Sequence, residues 1–240
     1  MSGAKSQRER AAAHQMAAGV ATMPNFSSAV SAQRFEPLDS LDDYPTPPWG
    51  ARAWVEHVVG PEAVSGLTCW EPAANRGYLV RPLAEYFARV AGSDIADYGH
   101  GFPLFDFIGP RDGLFGAKPP IDFIPDFVVT NPPFNRLLDF ALRGLEVARV
   151  GVAILCRLQC LEGIERHSRL FSQYGDRYVF SAFVERISFI RGKIDPKAAR
   201  PSAFGWLTIW KEPQDPAFLL ARRHIPPCRK RLERDTDYPA

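Results

Sequence analysis

Short apolar runs that alternate with stretches of helical spacing constrain this chain more than any single residue does. Leu67 to Trp70, Val90 to Asp94, Phe127 to Thr130 and Val152 to Cys156 each read as a short strand. Helical spacing covers Ala51 to Val59, with Trp54, Val55, Val58 and Val59 on one side. It returns over Leu137 to Ala148, with Leu138, Leu142 and Leu145 at i, i+4 and i+7. Helices are also expected from near Pro82, since proline is tolerated in a first turn, and around Glu162 to Phe171. Two β-rich stretches, RYVFSAFVERISFI from Arg177 and SAFGWLTIW from Ser202, follow. Such alternation gives a mostly parallel sheet covered on both faces, so the predicted fold class is α/β, doubly wound.

At 240 residues, 46% of them hydrophobic, the chain has room for one sizeable domain plus flanking segments. Residues 1 to 40, without sustained periodicity, are predicted to form a disordered arm. The domain is expected over residues 41 to 212 and a basic, proline-containing tail over 213 to 240. No apolar run approaches the ~20 residues that span a bilayer, and the N-terminus lacks a signal-peptide core. A cytoplasmic protein without membrane contact is expected. A net charge of +2 neither demands nor excludes a nucleic-acid partner. Cys69, Cys156, Cys160 and Cys228 fit no zinc spacing and read as buried free thiols. The five histidines show no ligand pattern, so no metal site is predicted.

In open α/β sheets ligands bind beyond the carboxyl ends of the strands. Glu71, Asp94 and Asn131 fall at three such ends. An acidic residue after the second strand of a βαβ unit commonly accepts from ribose hydroxyls, which suits Asp94; the plainer reading is a strand cap.

The stretch DFVVTNPPFN, Asp126 to Asn135, runs from a strand into Asn131-Pro132-Pro133-Phe134. Two prolines remove two N–H donors, so the loop offers carbonyls. Proline also pushes the residue before it toward an extended backbone, which fixes where Asn131 points. An asparagine oxygen and a neighbouring carbonyl can then both accept from one amino group. Phe134 supplies a flat face for a planar ring. Such a loop would hold an exocyclic amine on an aromatic base; the bland alternative is a strand-ending turn.

These residues resemble a known family. TNPPF looks like the catalytic motif of S-adenosylmethionine-dependent amino-methyltransferases, in the form found in adenine-N6 DNA methyltransferases. Three other stretches fall in the family's order. DYPTPPW (Asp43 to Trp49) resembles its Y-x-T-P segment, EPAANRG (Glu71 to Gly77) its E-P-A-x-G-x-G loop, and FDF (Phe105 to Phe107) its D-F-[LI] element. The order is the one called gamma, and the whole looks most like small phage and prophage methyltransferases. The resemblance covers Asp43 to Trp210 and implies a Rossmann-like class I methyltransferase with a seven-stranded sheet.

By that resemblance the cofactor is S-adenosyl-L-methionine. Its methionine end would lie on Thr46, with Tyr44 and Pro47 beside it, and on the loop through Glu71, Pro72, Ala73, Asn75 and Gly77. Asp94, with Ile95, would bind the ribose, and Asp106, with Phe107, the adenine. Asn131 and Pro132 would accept the two amine hydrogens, Pro133 would stiffen the loop, and Phe134 would stack on the target base. Asn75 departs from the pattern, standing where a glycine is usual; asparagine is the commonest substitute if that position needs positive φ. DNA is the expected partner, with base flipping if it is duplex. RNA adenine and a protein glutamine amide are alternative substrates, and a degenerate nucleic-acid-binding homologue is a third reading. Arg191, Lys193, Lys197 and Arg200 form a basic loop suited to phosphates, with a solvated surface as the plain alternative. No substantial recognition domain follows Trp210, so specificity would be loop-borne, relaxed, or supplied by a partner or a second copy.

Overall fold

The computed structural model describes residues 43–109, 119–189, 192, 194 and 203–238. The arm predicted for residues 1 to 40 lies outside the described residues. The first elements are helix α1 (Pro48–Trp54), continuing as a π-helical turn (Val55–Val59), helix α2 (Pro61–Val64), strand β1 (Thr68–Glu71), helix α3 (Val80–Leu83), and strands β2 (Arg89–Gly92) and β3 (Phe127–Thr130). Helix α4 (Leu137–Val147), strand β4 (Gly151–Arg157), helix α5 (Ile164–Arg166) with a π-helical continuation (His167–Phe171), and strands β5 (Tyr178–Phe183) and β6 (Phe204–Trp210) follow. Helix α6 (Pro216–Ala221), strand β7 (His224–Ile225) and helix α7 (Arg229–Leu232) come last.

One sheet holds the seven strands in the order β2-β1-β3-β4-β6-β5-β7. Strands β2, β1, β3 and β4 are parallel, whereas β6 runs antiparallel to both β4 and β5. This is the Rossmann-like class I methyltransferase fold. Its middle strands are apolar almost throughout, because both their faces are covered: every residue of β3 and β6 is buried.

On one face α1 brings Trp49 and Trp54 onto the sheet. Trp54 packs within 5.7 Å of both Phe127 and Trp206, centroid to centroid. Its Nε1 donates to Thr208 Oγ1 at 2.9 Å, and Trp206 Nε1 donates to the Gly50 carbonyl at 2.9 Å. Buried indole N–H groups need such partners, so these bonds fix the helix against the sheet. On the opposite face α4 buries Leu137, Phe140, Ala141, Gly144 and Leu145. Leu138 and Leu142, expected on the buried side, are only half-buried. Gly144 explains the rotation: a Cβ there would meet Val152 Cγ2 at 2.8 Å, so the helix comes closest to the sheet along its glycine side.

Other boundaries differ for local reasons. Helix α1 starts at Pro48, ahead of the expected Ala51, since proline is preorganised for a first helical position. The helix expected from Pro82 is nearly over there: α3 ends at Leu83, and the chain turns so that Ala88 can donate to the Leu67 carbonyl and begin β2. The segment expected as a C-terminal tail instead packs back on the domain. Its β7 extends the sheet beside β5, and Arg52 in α1 reaches both the Leu232 carbonyl and the Asp237 carboxylate.

Candidate active site

Parallel pairing brings the carboxyl ends of β2, β1 and β3 side by side, with Glu71 opposite Gly92 and Trp70 opposite Val128. A cavity of about 240 Å³ lies along this edge. Of the predicted residues, Tyr44 and Thr46, then Pro72, Ala73 and Asn75, then Asp94, Ile95, Asp106 and Phe107, and finally Asn131 and Pro133 line it. Pro47, Glu71, Gly77, Pro132 and Phe134 do not. The four separated stretches quoted from the sequence therefore meet around one space.

The loop after β1 turns on Asn75, which has φ of 49° and is the one non-glycine residue with positive φ among those described. Its backbone N–H donates to Asp94 Oδ2 at 2.8 Å. Its side chain is fully engaged: Nδ2 donates to Asp43 Oδ1, while Oδ1 accepts from the Arg76 N–H and from Arg76 Nη1, each at 2.8 Å. Arg76 in turn pairs with Asp43 at 2.8 Å. The amide that replaces a hydrogen atom of glycine thus ties Asp43 to the loop after β1.

Three carboxyl groups serve different ends. Asp94 accepts from Asn75 and, through Oδ1, from the Ala96 N–H at 3.0 Å. Burial nevertheless raises its pKa, outweighing those backbone N–H groups, which favour the charged form. Asp106 is exposed at the cavity's other end, its Oδ1 accepting from the Ile108 N–H at 3.2 Å. Glu71 lies behind the wall, fully buried, with Oε1 accepting from the Ala73 N–H at 2.8 Å and Oε2 without a hydrogen-bond partner. Burial pushes its carboxyl up to about 8, against the Thr130 hydroxyl, which is close but outside bonding geometry, and the Ala73 N–H.

Asn131 is held by its nitrogen. Nδ2 donates to the Tyr44 carbonyl at 2.9 Å and to Thr46 Oγ1 at 3.0 Å. A carbonyl oxygen cannot donate, so the flipped amide would set two acceptors against each other. The orientation is chemically fixed, and Oδ1 is left as the group Asn131 can offer to a donor. Phe134 is half-buried on the 3-10 turn that follows. Its ring lies 6.4 Å from Tyr44 and 5.8 Å from Phe204, and the Arg157 guanidinium sits 4.8 Å from its centroid. Phe107, beyond lining the cavity, is a core ring, edge-on to Trp70 at 5.0 Å.

Tyr78, Tyr98, Phe105 and Arg136 also line the cavity and were not anticipated. The Tyr98 phenol is pushed up to about 12, first by burial and then by the Asp94 and Asp43 carboxylates, and the Arg76 guanidinium lies 5.1 Å from its ring. Tyr98 stands in the loop-rich stretch from residue 96, which has no periodicity to reveal a facing side; its nearness to Asp94 in sequence was the available signal.

Arg191, Lys193, Lys197 and Arg200 lie outside the described residues. Three C-terminal arginines are paired with carboxylates: Arg229 with Glu233 and Arg234 with Glu85, each at 2.8 Å, and Arg231 with Glu56. Arg222 donates to the Val58 carbonyl at 2.7 Å. All four cysteines are buried free thiols, as read from the sequence.

No protein-family model matches the chain, and neither does the sequence of a curated protein. Among solved structures it is similar to a candidate RNA methyltransferase of Pyrococcus horikoshii, at 15% identity over 73% of this chain and 90% of that one, with a TM-score of 0.46. It is similar to the M protein of the type I restriction enzyme EcoKI, at 16% identity over 75% of this chain and 46% of that one, with a TM-score of 0.49. The magnesium protoporphyrin IX methyltransferase of Synechocystis PCC 6803, solved with bound S-adenosylmethionine, is similar at 15% identity over 69% and 79%, with a TM-score of 0.43. These likenesses concern the fold alone.

Proposed function

We propose that the chain is an S-adenosylmethionine-dependent methyltransferase that modifies the N6 amine of adenine in DNA. The observation that carries this reading is the orientation of Asn131: its nitrogen is committed to the Tyr44 carbonyl and to Thr46, so its oxygen is left to accept from a donor. A site built to accept hydrogens from an amine needs that polarity and not the reverse.

The donor set fits the cofactor. Asp94 and Asp106 offer acceptors at two points of the cavity, as ribose hydroxyls and an adenine amine require, and Tyr98 and Phe105 offer apolar faces between them. When bound, the cofactor supplies an electrophilic methyl group on a sulfonium. The chain's contribution is positioning. An aromatic amine is a poor nucleophile because its lone pair is delocalised into the ring. Asn131 Oδ1 and the Pro132 carbonyl, each accepting one N–H, would favour a pyramidal nitrogen and localise that pair. Phe134 would fix the plane of the base, and Tyr44 and Thr46 would hold the Asn131 amide through the reaction.

The test uses purified protein, tritiated S-adenosylmethionine, and unmethylated DNA, ribosomal RNA and cell-extract protein side by side. Label in DNA, recovered as N6-methyladenine after digestion, is the expected result. Label confined to RNA or to protein glutamine would keep the amine chemistry and overturn the substrate. Asn131→Ala should abolish transfer while calorimetry shows cofactor affinity nearly unchanged; lost binding in a folded variant would contradict the assignment.

A further inference from the structure

The turn that follows β4 presents large apolar side chains to solvent. Leu158 and Leu161, at the two ends of a 3-10 turn, are 46% and 38% exposed, and Ile164, the first residue of α5, is 90% exposed. A single exposed aliphatic side chain is ordinary, but three on one short turn make a patch.

The turn is built to hold them. Gly163 has φ of 109°, a conformation that side chains disfavour, and a Cβ there would meet Arg166 Nη2 at 3.0 Å. Arg166 occupies that space and clamps the turn, donating from Nε to the Glu162 carbonyl at 2.7 Å and from Nη2 to the Gln159 carbonyl at 3.4 Å. Among the described residues it forms no salt bridge, and the exposed Glu162 and Glu165 flank it in the chain, Glu165 being paired with Arg169 at 2.7 Å. Cys160 is buried under the turn, its sulfur 3.0 Å from that of Cys156 in β4. One residue before the turn, Arg157 lies on the Phe134 ring of the NPPF loop. The apolar knuckle is therefore rigid, backed by a cation, and joined directly to the place where a target base would stack.

That combination suits a nucleic-acid stack better than a protein surface. An apolar side chain can slip between bases where one has left, while a cation set behind it faces the phosphates. Resting on the reading of the chain as a DNA methyltransferase, we propose that the knuckle formed by Leu158, Leu161 and Ile164 is a wedge. Ile164, at its tip, enters the duplex beside the target adenine and fills the gap that the flipped base leaves.

A base in a single strand need not be extruded, and that separates the wedge from the chemistry. The full chain and its Ile164→Ser and Ile164→Phe variants would be assayed on unmethylated genomic DNA, duplex and heat-denatured. Ile164→Ser should lower kcat/KM on duplex by roughly tenfold or more and leave single-stranded DNA within about twofold, since only the duplex requires unstacking. Ile164→Phe should restore the duplex rate, because a ring fills the same gap. Equal losses on both substrates, or no loss on duplex, would overturn the wedge. So would a wild-type dimer in sedimentation that Ile164→Ser converts to monomer, which would make the knuckle a protein interface. Wild type that methylates neither DNA would sink the underlying functional reading, an outcome visible before any variant is compared.

Discussion

Two buried carboxylates, Asp237 near the C-terminus and Glu71 at the end of β1, are handled in opposite ways. Asp237 meets Arg52, whose guanidinium uses all five of its donors. Nη1 reaches the Leu232 carbonyl and Asp237 Oδ2, Nη2 reaches Asp237 Oδ1 and Glu85 Oε1, and Nε reaches Glu85 Oε2, all between 2.7 and 2.9 Å. Burial by itself would lower the Arg52 pKa, but the bonds to Asp237 and Glu85 raise it above its ordinary value. Glu71, by contrast, has one backbone N–H and an oxygen with no partner. The clasp closes the domain with every guanidinium donor matched. The cavity's back wall instead keeps a carboxyl group that burial pushes toward its neutral form and whose hydrogen bonding is only half satisfied.

Breaking the clasp should give the largest effect. Arg52→Met leaves the Asp237 carboxylate buried without a counter-charge and should cost about 3–5 kcal/mol, the range for removing one member of a buried pair. Thermal denaturation followed by circular dichroism should show a fall of roughly 10 °C, at about 2–4 °C per kcal/mol for a chain of this size. Adding Asp237→Leu to Arg52→Met should recover part of the loss, because an apolar pair needs no solvation. A single variant as stable as wild type would mean that the clasp contributes nothing.

Glu71 should respond to pH, and in one direction. Its folded pKa of about 8 lies above the ordinary value of 4.5, so the folded chain holds a proton that the unfolded chain has released. The stability this contributes is complete below the ordinary value and is lost as pH rises toward about 8, at up to about 1.4 kcal/mol per pH unit. Glu71→Gln, neutral at every pH, should lack that decline and exceed wild type in chemical denaturation near pH ~9. Parallel pH profiles for the two proteins would show that Glu71 is ionised in the fold.

Much of this contrast could not be read from the chain. Strand β3 was legible because four apolar or β-favouring residues run straight into Asn131-Pro132. The approach of Asp94 to Asn131 was also legible, since parallel strands deliver their ends to one edge, whereas Tyr44 and Asn75 were expected there only through the resemblance of their motifs. Arg52 was not. It sits among alanines and tryptophans on an apolar helix, and its partners lie 33 and 185 residues away. Nothing local distinguishes an arginine that is clamped from one that is solvated. The partners of the C-terminal arginines were hidden for the same reason: Arg229, Arg231 and Arg234 fall in one basic stretch, and their partners are Glu233, Glu56 and Glu85. Phe140 and Gly144 displaced the expected leucine face of α4 because volume at the contact, not hydrophobicity, sets how a helix rotates onto a sheet.

Thr46 gives a smaller and more selective effect. It is 3% exposed, and its hydroxyl is one of two acceptors that hold Asn131. Thr46→Val keeps the shape, removes one bond worth about 1 kcal/mol, and should lower kcat about five- to tenfold with little change in cofactor affinity. Thr46→Ser should restore it. A loss in cofactor affinity with kcat intact would place Thr46 on the cofactor instead.

Asn75 should yield the smallest difference, and the most informative about the departure from glycine. A non-glycine residue with φ of 49° carries a cost of about 1–2 kcal/mol, which asparagine lessens by bonding locally. Here that bonding is to Asp43 and to Arg76. Asn75→Ala keeps the strain and loses all three side-chain bonds, whereas Asn75→Gly loses the bonds and the strain together. The alanine variant should therefore be the less stable of the two by about 1 kcal/mol. The backbone N–H that reaches Asp94 survives in both, so cofactor affinity by calorimetry should stay within about threefold of wild type in the glycine variant. A large gain in affinity for Asn75→Gly would mean that the asparagine crowds the cavity, and that the strap to Asp43 is maintained at the expense of binding.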